Sequence, residues 1–192
     1  LAVIKEYGAT RISINPQTLS DEVLAAIGRR HTAQDVLDCF AQARRLGHGN
    51  INMDLIAGLP LDTPARFAQT LQGVLALAPE NITVHTLTLK RASNLVIEHA
   101  PNAYGDVARM LDSCALLGEN GYEPYYLYRQ KGTLQNLENT GYTRPGYVGL
   151  YNVFIMEEVH TILSAGAGGS TKLVGPDGHI RRIFNHKYPL EY

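Results

Sequence analysis

The sequence predicts an α/β protein: the later part of a parallel β/α barrel, followed by a smaller β-rich extension. Over residues 1–125, strand-like runs and helical patterns alternate at intervals of roughly 30–40 residues, the layout that parallel strands joined by crossover helices require. Polar side chains collect at the C-terminal ends of those runs, where parallel barrels place their sites. Past residue 125 the helical patterns give way to tyrosine, glycine and short apolar runs, which reads as a separate β-rich segment over 126–192. Three strand–helix units are too few to close an eight-stranded barrel, so a barrel with one flank missing is the simplest architecture.

The 192 residues, 45% apolar and 18% charged, suffice for one domain with a real core. A net charge of −1 argues against nucleic acid, because phosphate binding needs a clustered basic excess. No apolar run reaches the roughly 18 residues of a membrane span and no leader pattern is visible, so no membrane partner is expected and a reducing cytoplasm is the expected compartment. Cys39 and Cys114 stand far apart inside helical patterns and read as buried thiols; alone they do not make a zinc or iron–sulfur site, which takes about four ligands. The chain begins at Leu1, as an excised fragment would.

Taken in order, residues 1–8 carry the tail of a helix closed by Gly8, a residue suited to the left-handed C-cap. Ile12 and Ile14 alternate with Arg11, Ser13 and Asn15, which predicts a strand, and Pro16 lacks the ladder donor and ends it. Ser20 is an N-cap, Asp21 and Glu22 suit the positive end of the helix that follows, and Gly28 stops it. Thr32 caps a second helix through Leu46, with Val36, Phe40 and Ala43 at helical spacing. In residues 50–60, Ile51, Met53 and Leu55 point one way and Asn52, Asp54 and Ile56 the other, before Gly58-Leu59-Pro60 turns the chain. Thr63-Pro64 opens a third helix in the N-cap/N1 arrangement; its stripe is Phe67, Leu71, Val74 and Leu75, and Pro79 ends it. Residues 82–89 are rich in β-branched side chains and predict a strand, 104–120 a helix stopped by Gly121, and 125–128 a fourth strand. Residues 131–149 show no usable period. The apolar runs at 151–156 and 162–165 suit strands, 166–170 is a tight turn, and Pro176-Asp177-Gly178 joins 172–174 and 179–184 as a hairpin. The last eight residues read as a fraying end.

The rule that barrel sites form at C-terminal strand ends selects Asn15 and Gln17, then Asp54, then Thr88, Lys90 and Arg91. Asp54 is the most informative, because a carboxylate inside an apolar strand is costly unless it meets a partner or ligand hydroxyls. A structural pair with a neighbouring arginine is the alternative. Gln17 suits a loop-capping amide equally well, and Arg29 and Arg30 suit surface ion pairs. Gly166-Ala167-Gly168-Gly169-Ser170 has Thr171 where a dinucleotide fingerprint needs its third glycine, and no Lys-Ser/Thr ending, so it marks a close backbone approach. Seven of the eleven tyrosines fall between Tyr122 and Tyr151. They read as strand-surface and core residues, or as a pocket for a large flat or polyanionic ligand, with Lys90, Arg91, Arg129 and Lys131 supplying charge. His31, His85 and His160 lack metal-ligand spacing and read as structural.

The segments RISINPQT, LAAIGRRHT, NINMDLIAGLP and ITVHTLTLKRAS, in this order over residues 1–95, resemble the coproporphyrinogen oxidase-like branch of radical S-adenosylmethionine (SAM) enzymes. PYYLYRQK, NTGYTRPG and the glycine-rich turn extend the resemblance to about four-fifths of the chain, and the whole is most like the oxygen-independent coproporphyrinogen dehydrogenases. The resemblance implies the second half of a partial (β/α)6 radical-SAM barrel over 1–125. Gln17, Arg29 and Asp54 fall on positions that contact SAM in that family, with Asp54 on the ribose hydroxyls, Gln17 near the ribose and Arg29 on the methionine carboxylate; Thr88 lines the same pocket. No catalytic residue is assigned.

The implied reaction is oxidative decarboxylation of two propionates of coproporphyrinogen III to vinyl groups. A reduced [4Fe-4S] cluster would cleave SAM to the radical that abstracts a propionate hydrogen, with a flavodoxin or ferredoxin as electron donor. The Cys-x3-Cys-x2-Cys motif that holds the cluster is absent from this chain, so its ligands are expected upstream and the fragment alone is expected to be inactive. The alternative is a haem-binding chaperone of the same family. Those relatives carry His-Asn-x-x-Tyr-Trp where this chain reads Tyr151-Asn152-Val153-Phe154-Ile155-Met156, and the chain has no Trp, which favours the enzyme.

Overall fold

Alternation along the segment after residue 50 sorts its side chains into two kinds. Ile51, Met53, Leu55 and Ala57 are fully buried on one face; Asn52, Asp54 and Ile56 take the other. In this computed structural model, which describes residues 1–88, 106–129 and 133–191, that segment is strand β2 (Ile51–Ala57). It lies between β1 (Ile12–Gln17) and β3 (Asn81–Thr86), parallel to both. The intervening chain supplies helices α2 (Asp21–Ala26), α3 (Ala33–Arg45) and α4 (Pro64–Leu77), after a short α1 (Ala2–Glu6). Thr32 starts α3 with a reciprocal capping box to Asp35, and Thr63 caps α4 ahead of Pro64, as their residue types predict.

The apolar face of the sheet is the core. Val36, Phe40 and Ala43 of α3, Phe67, Leu71 and Val74 of α4, and Val107 and Met110 of α5 (Val107–Asp112) share one cluster with Ile14, Met53, Leu55, Ile82 and Val84. Each such side chain contributes roughly 1.5–3 kcal/mol on burial, so this layer drives the fold. A second helix, α6 (Ala115–Glu119), follows α5 and leads to β4 (Glu123–Tyr128) and β5 (Asn139–Thr143), which complete the sheet in antiparallel sense in the order β1-β2-β3-β5-β4. The chain divides into two compact units, Leu1–Val148 and Gly149–Tyr192. The second consists of helix α7 (Leu150–Glu157) and the hairpin of β6 (Ser170–Val174) and β7 (Ile180–Phe184).

The predicted class, a parallel β/α repeat with a smaller β-rich part, is the observed one, and the differences are local. Pro16 does not end β1: the strand continues to Gln17 through a bulge, and Pro16 lies in that bulge, outside the register that pairs Ile14 and Gln17 with β2. The strand expected at 151–156 is the helix α7, since a short apolar run without alternation does not distinguish the two. The run at 162–165 forms only a bridge, Ile162 to Lys172. The single helix expected at 104–120 is two, broken where Ser113 and Cys114 donate to Met110 and Leu111, three residues back.

Strand β5 lies in the segment without a period. Asn-Thr-Gly-Tyr-Thr is a poor strand sequence by propensity, and its neighbours on both sides make it one. The Asn139 side chain accepts from the Thr86 N–H at 2.6 Å, and a Cβ at Gly141 would run into the Tyr126 ring.

The N-terminal edge of the sheet is tied by one carboxylate. Glu80 accepts from the Ile51 N–H at 2.8 Å and from Arg44 Nη1 at 3.0 Å, while Arg44 Nη2 lies 2.9 Å from its other oxygen and reaches the Ala78 carbonyl at 3.0 Å. Glu80→Ala leaves the Ile51 N–H unpaired and Arg44 without its carboxylate, with only the Ala78 and His48 carbonyls to bond, and should cost about 2–3 kcal/mol. Urea denaturation measures this; a midpoint unchanged from wild type would show that the tie is not structural.

Candidate functional site

The face of the sheet opposite the helices is polar. Alternation and register place Ser13 of β1, Asn52 and Asp54 of β2, Thr83 and His85 of β3, and Tyr126 and Tyr128 of β4 on it. Gly141 of β5 gives the Tyr126 ring its place between strands. The side chains form a connected network. Thr83 Oγ1 donates to Asn52 Oδ1 at 3.0 Å, which turns the Asn52 amide so that its Nδ2 donates to Asp54 Oδ1 at 2.7 Å. Asn52 Nδ2 also reaches Ser13 Oγ at 3.3 Å, and Tyr126 Oη lies 3.5 Å from Thr83 Oγ1. His85 Nε2 lies 3.8 Å from Asp54 Oδ1, and its Nδ1 is 3.2 Å from Tyr128 Oη.

Asp54 keeps 22% of its side chain exposed. Burial works to raise its pKa, but His85, Asn52 and Thr83 outweigh that and hold it below the usual carboxylate value, so the group is ionised and still reachable. Burial pushes the Tyr126 phenol up to about 12 and raises that of Tyr128, where the Asp54 charge adds to the effect; both stay protonated at neutral pH. A cavity of about 320 Å³ opens beside this network, lined by Ile56, His85, Leu87, Thr88, Tyr128 and Asn139.

The predicted site residues fall in several places. Asp54 is at the centre, and Thr88 lines the adjoining cavity while bridging to Thr133. Gln17 is buried at the bulged end of β1, paired in register with Leu55, with a left-handed φ of 68° that costs a non-glycine residue about 1–2 kcal/mol. Strain of this kind collects at functional sites. Arg29 is exposed beyond the end of α2, and its guanidinium has no partner among the described residues. Arg129 pairs with Glu138 at 3.0 Å in an exposed bridge. Lys90, Arg91 and Lys131 lie outside the described residues.

His85, read from sequence as structural, contacts Asp54. The signal was available: Thr83 and His85 share the parity that, once β3 is set beside β2, carries them to the Asn52–Asp54 face. Neither cysteine suits a cluster. Cys39 is on α3, Cys114 is buried with its thiol pushed up to about 12 by that burial, and no group of three His, Cys, Asp or Glu able to hold a metal exists among the described residues.

Residues 1–73 match the Radical SAM superfamily. This part of the chain belongs to that superfamily. Over its whole length the chain is 46% identical to the oxygen-independent coproporphyrinogen-III oxidase-like protein HemZ of Bacillus subtilis, covering 39% of that protein. It is 27% identical to the heme chaperone HemW of Escherichia coli, over 95% of this chain and 45% of the chaperone. The fold is that of the Escherichia coli coproporphyrinogen III oxidase HemN, described as a radical SAM enzyme, with a TM-score of 0.71 over 98% of this chain and 43% of that one at 21% identity. The chain thus spans less than half the length of these relatives. Membership implies SAM and a [4Fe-4S] cluster as cofactors. The polar set around Asp54 fits the first, since an ionised, partly exposed acceptor is what a ribose diol requires; the described residues do not fit the second. No helix of the described residues is long and apolar enough to cross a membrane.

The lowered pKa of Asp54 has a measurable consequence. A carboxylate whose pKa is depressed by folding contributes stability above its unfolded value, about 4, and loses it as pH falls through the folded value. The stability difference between wild type and Asp54→Asn should therefore narrow below about pH 4. Urea midpoints at pH 7, 5 and 3 test this, and a difference constant with pH would show that the network does not hold Asp54 ionised.

Proposed function

We propose that this chain supplies one wall of the SAM pocket of an oxygen-independent coproporphyrinogen III dehydrogenase. On this reading residues 1–125 are the second half of the radical-SAM core, and 126–192 the extension that helps to complete the site. The observation that carries the proposal is Asp54: an ionised, reachable carboxylate on the polar face of parallel strands, in a chain 46% identical throughout to an oxidase-like protein. Asp54 accepts the ribose hydroxyls, Gln17 and Thr88 border the same pocket, and Arg29 takes the methionine carboxylate through its bidentate fork. Lys90, Arg91, Arg129 and Lys131 are the candidates for the substrate propionates. Arg129 exchanges its exposed Glu138 partner at little cost, because such bridges are worth under about 1 kcal/mol.

When bound and reduced by one electron from a flavodoxin or ferredoxin, SAM would supply the radical that removes one hydrogen atom from each propionate, and loss of carbon dioxide with one further electron passed to an external acceptor would leave the vinyl group. The protein's own part is to hold the diol and exclude alternatives. Tyr126 and Tyr128 stay protonated beside Asp54 and offer hydroxyls, not charges, to whatever enters.

The chaperone reading has support in the HemW relatives, and one experiment separates the two. The full-length protein, reconstituted anaerobically, should convert coproporphyrinogen III and should not bind haem tightly at one equivalent; stoichiometric haem binding without conversion would overturn the oxidase reading. Asp54→Ala should weaken SAM binding by at least tenfold, as loss of a charged hydrogen-bond acceptor predicts. Calorimetric titration reads this directly, and unchanged affinity would remove Asp54 from the pocket.

A further inference from the structure

The geometry points to His85 as the positioning residue for the Asp54 carboxylate, itself held in one tautomer by Tyr128. This rests on the reading of Asp54 as the ribose acceptor. Three observations support it. His85 and Asp54 sit on adjacent strands and the same face, with Nε2 3.8 Å from Oδ1. The other ring nitrogen, Nδ1, is 3.2 Å from Tyr128 Oη, and the two rings meet edge to face at 6.3 Å and 71°. Among the described residues, His85 is the one basic side chain within ion-pair distance of Asp54.

The direction of the chain Tyr128–His85–Asp54 follows from the carboxylate, which only accepts and so favours the proton on the Nε2 that faces it, leaving Nδ1 as the acceptor. Tyr128 stays protonated, because burial and the Asp54 charge both disfavour phenolate, so its hydroxyl is available to donate to Nδ1. A neutral imidazole accepting at Nδ1 carries its proton on Nε2, the nitrogen that faces Asp54. Asn52 donates to Oδ1 at 2.7 Å from β2, and the Nε2 of His85 faces the same oxygen from β3 at 3.8 Å, so that groups on two strands bear on the one carboxylate oxygen. A carboxylate fixed in this way presents its second oxygen in a defined direction, which is what recognition of a vicinal diol needs.

The opposing account is that His85 only fills space between Ile56 and Tyr128. Shape and hydrogen bonding are separable by substitution. His85→Phe keeps an aromatic ring and removes both nitrogens, whereas His85→Gln keeps a donor and loses the ring. In the full-length protein, with SAM as the probe in calorimetric titration, His85→Phe should weaken binding about tenfold and His85→Gln should recover most of the loss. Tyr128→Phe should weaken binding about threefold and change the 15N pattern of the His85 imidazole away from the Nε2–H tautomer. In an Asp54→Asn background, His85→Phe should have no further effect, as coupled neighbours require.

Thermal melts establish that each variant is folded. If Asp54→Ala binds SAM as wild type does, the ribose reading fails and the positioning role falls with it. If Asp54→Ala loses affinity but His85→Phe does not, or adds its loss independently of Asp54, the ribose reading stands and the role of His85 is overturned. Equal losses in His85→Phe and His85→Gln would likewise assign the effect to shape and overturn it.

Discussion

A carboxylate in the second strand of a five-stranded sheet must be compensated, and the face around Asp54 is largely that compensation. Removing such a group from water without partners costs several kcal/mol. Here Asn52 donates from the same strand, with its amide turned by Thr83, and His85 approaches from the next. The same charge fixes register. Side chains alternate with period two, so a slip of β2 by one residue would drive Asp54 into the layer of Phe67, Leu71 and Val74. The charge at the centre of the polar face is therefore also one that forbids the wrong pairing of its strand.

The two ends of the sheet do different work. At the N-terminal edge, Glu80 ties the last turn of α3 to the start of β2, and its backbone N–H donates to the Ile51 carbonyl while its own carbonyl accepts from Arg144. At the other edge β2 ends in Gly58, whose φ of 94° and contacts to Val107 and Leu134 leave no room for a side chain, and β1 ends in the strained Gln17. Left-handed backbone occurs at both ends, at Ala78 beside Glu80 and at Gln17 and Gly58 opposite, and the bonds of Arg44 and Glu80 fasten the first.

Much of this was legible in the sequence because two periods carry it. The β1, β2 and β3 segments, the caps at Thr32 and Thr63, and the outward parity of Asn52 and Asp54 all follow from local patterning. Contacts between distant segments do not. Asn139–Thr143 is a strand only because β3 and β4 flank it, and no propensity of Asn-Thr-Gly-Tyr-Thr announces that. The seven clustered tyrosines divide by the same logic: Tyr122 is core, its hydroxyl on the Pro79 carbonyl, whereas Tyr126 and Tyr128 face the site. His85 was discounted for want of metal-ligand spacing, a test that asks about neighbours in sequence when its partner is thirty-one residues away across a strand pair.

The proposed SAM contacts also differ in how ready they are. Asp54 is ionised and held by its neighbours before any ligand arrives, so a diol meeting it orders little that is not already ordered. Arg29 is exposed past the end of α2 without a partner among the described residues, and fixing a side chain of that length costs roughly 0.5–1.5 kcal/mol. A ligand that carried both groups would thus be oriented first by its ribose, with the methionine carboxylate gathered in afterwards. The order matters for selectivity, because a molecule lacking the diol would have to meet the cost of ordering Arg29 with no preset contact to offset it. On the proposed reading, discrimination in this wall belongs to the sheet, where Asn52 and Thr83 hold the acceptor and His85 faces it.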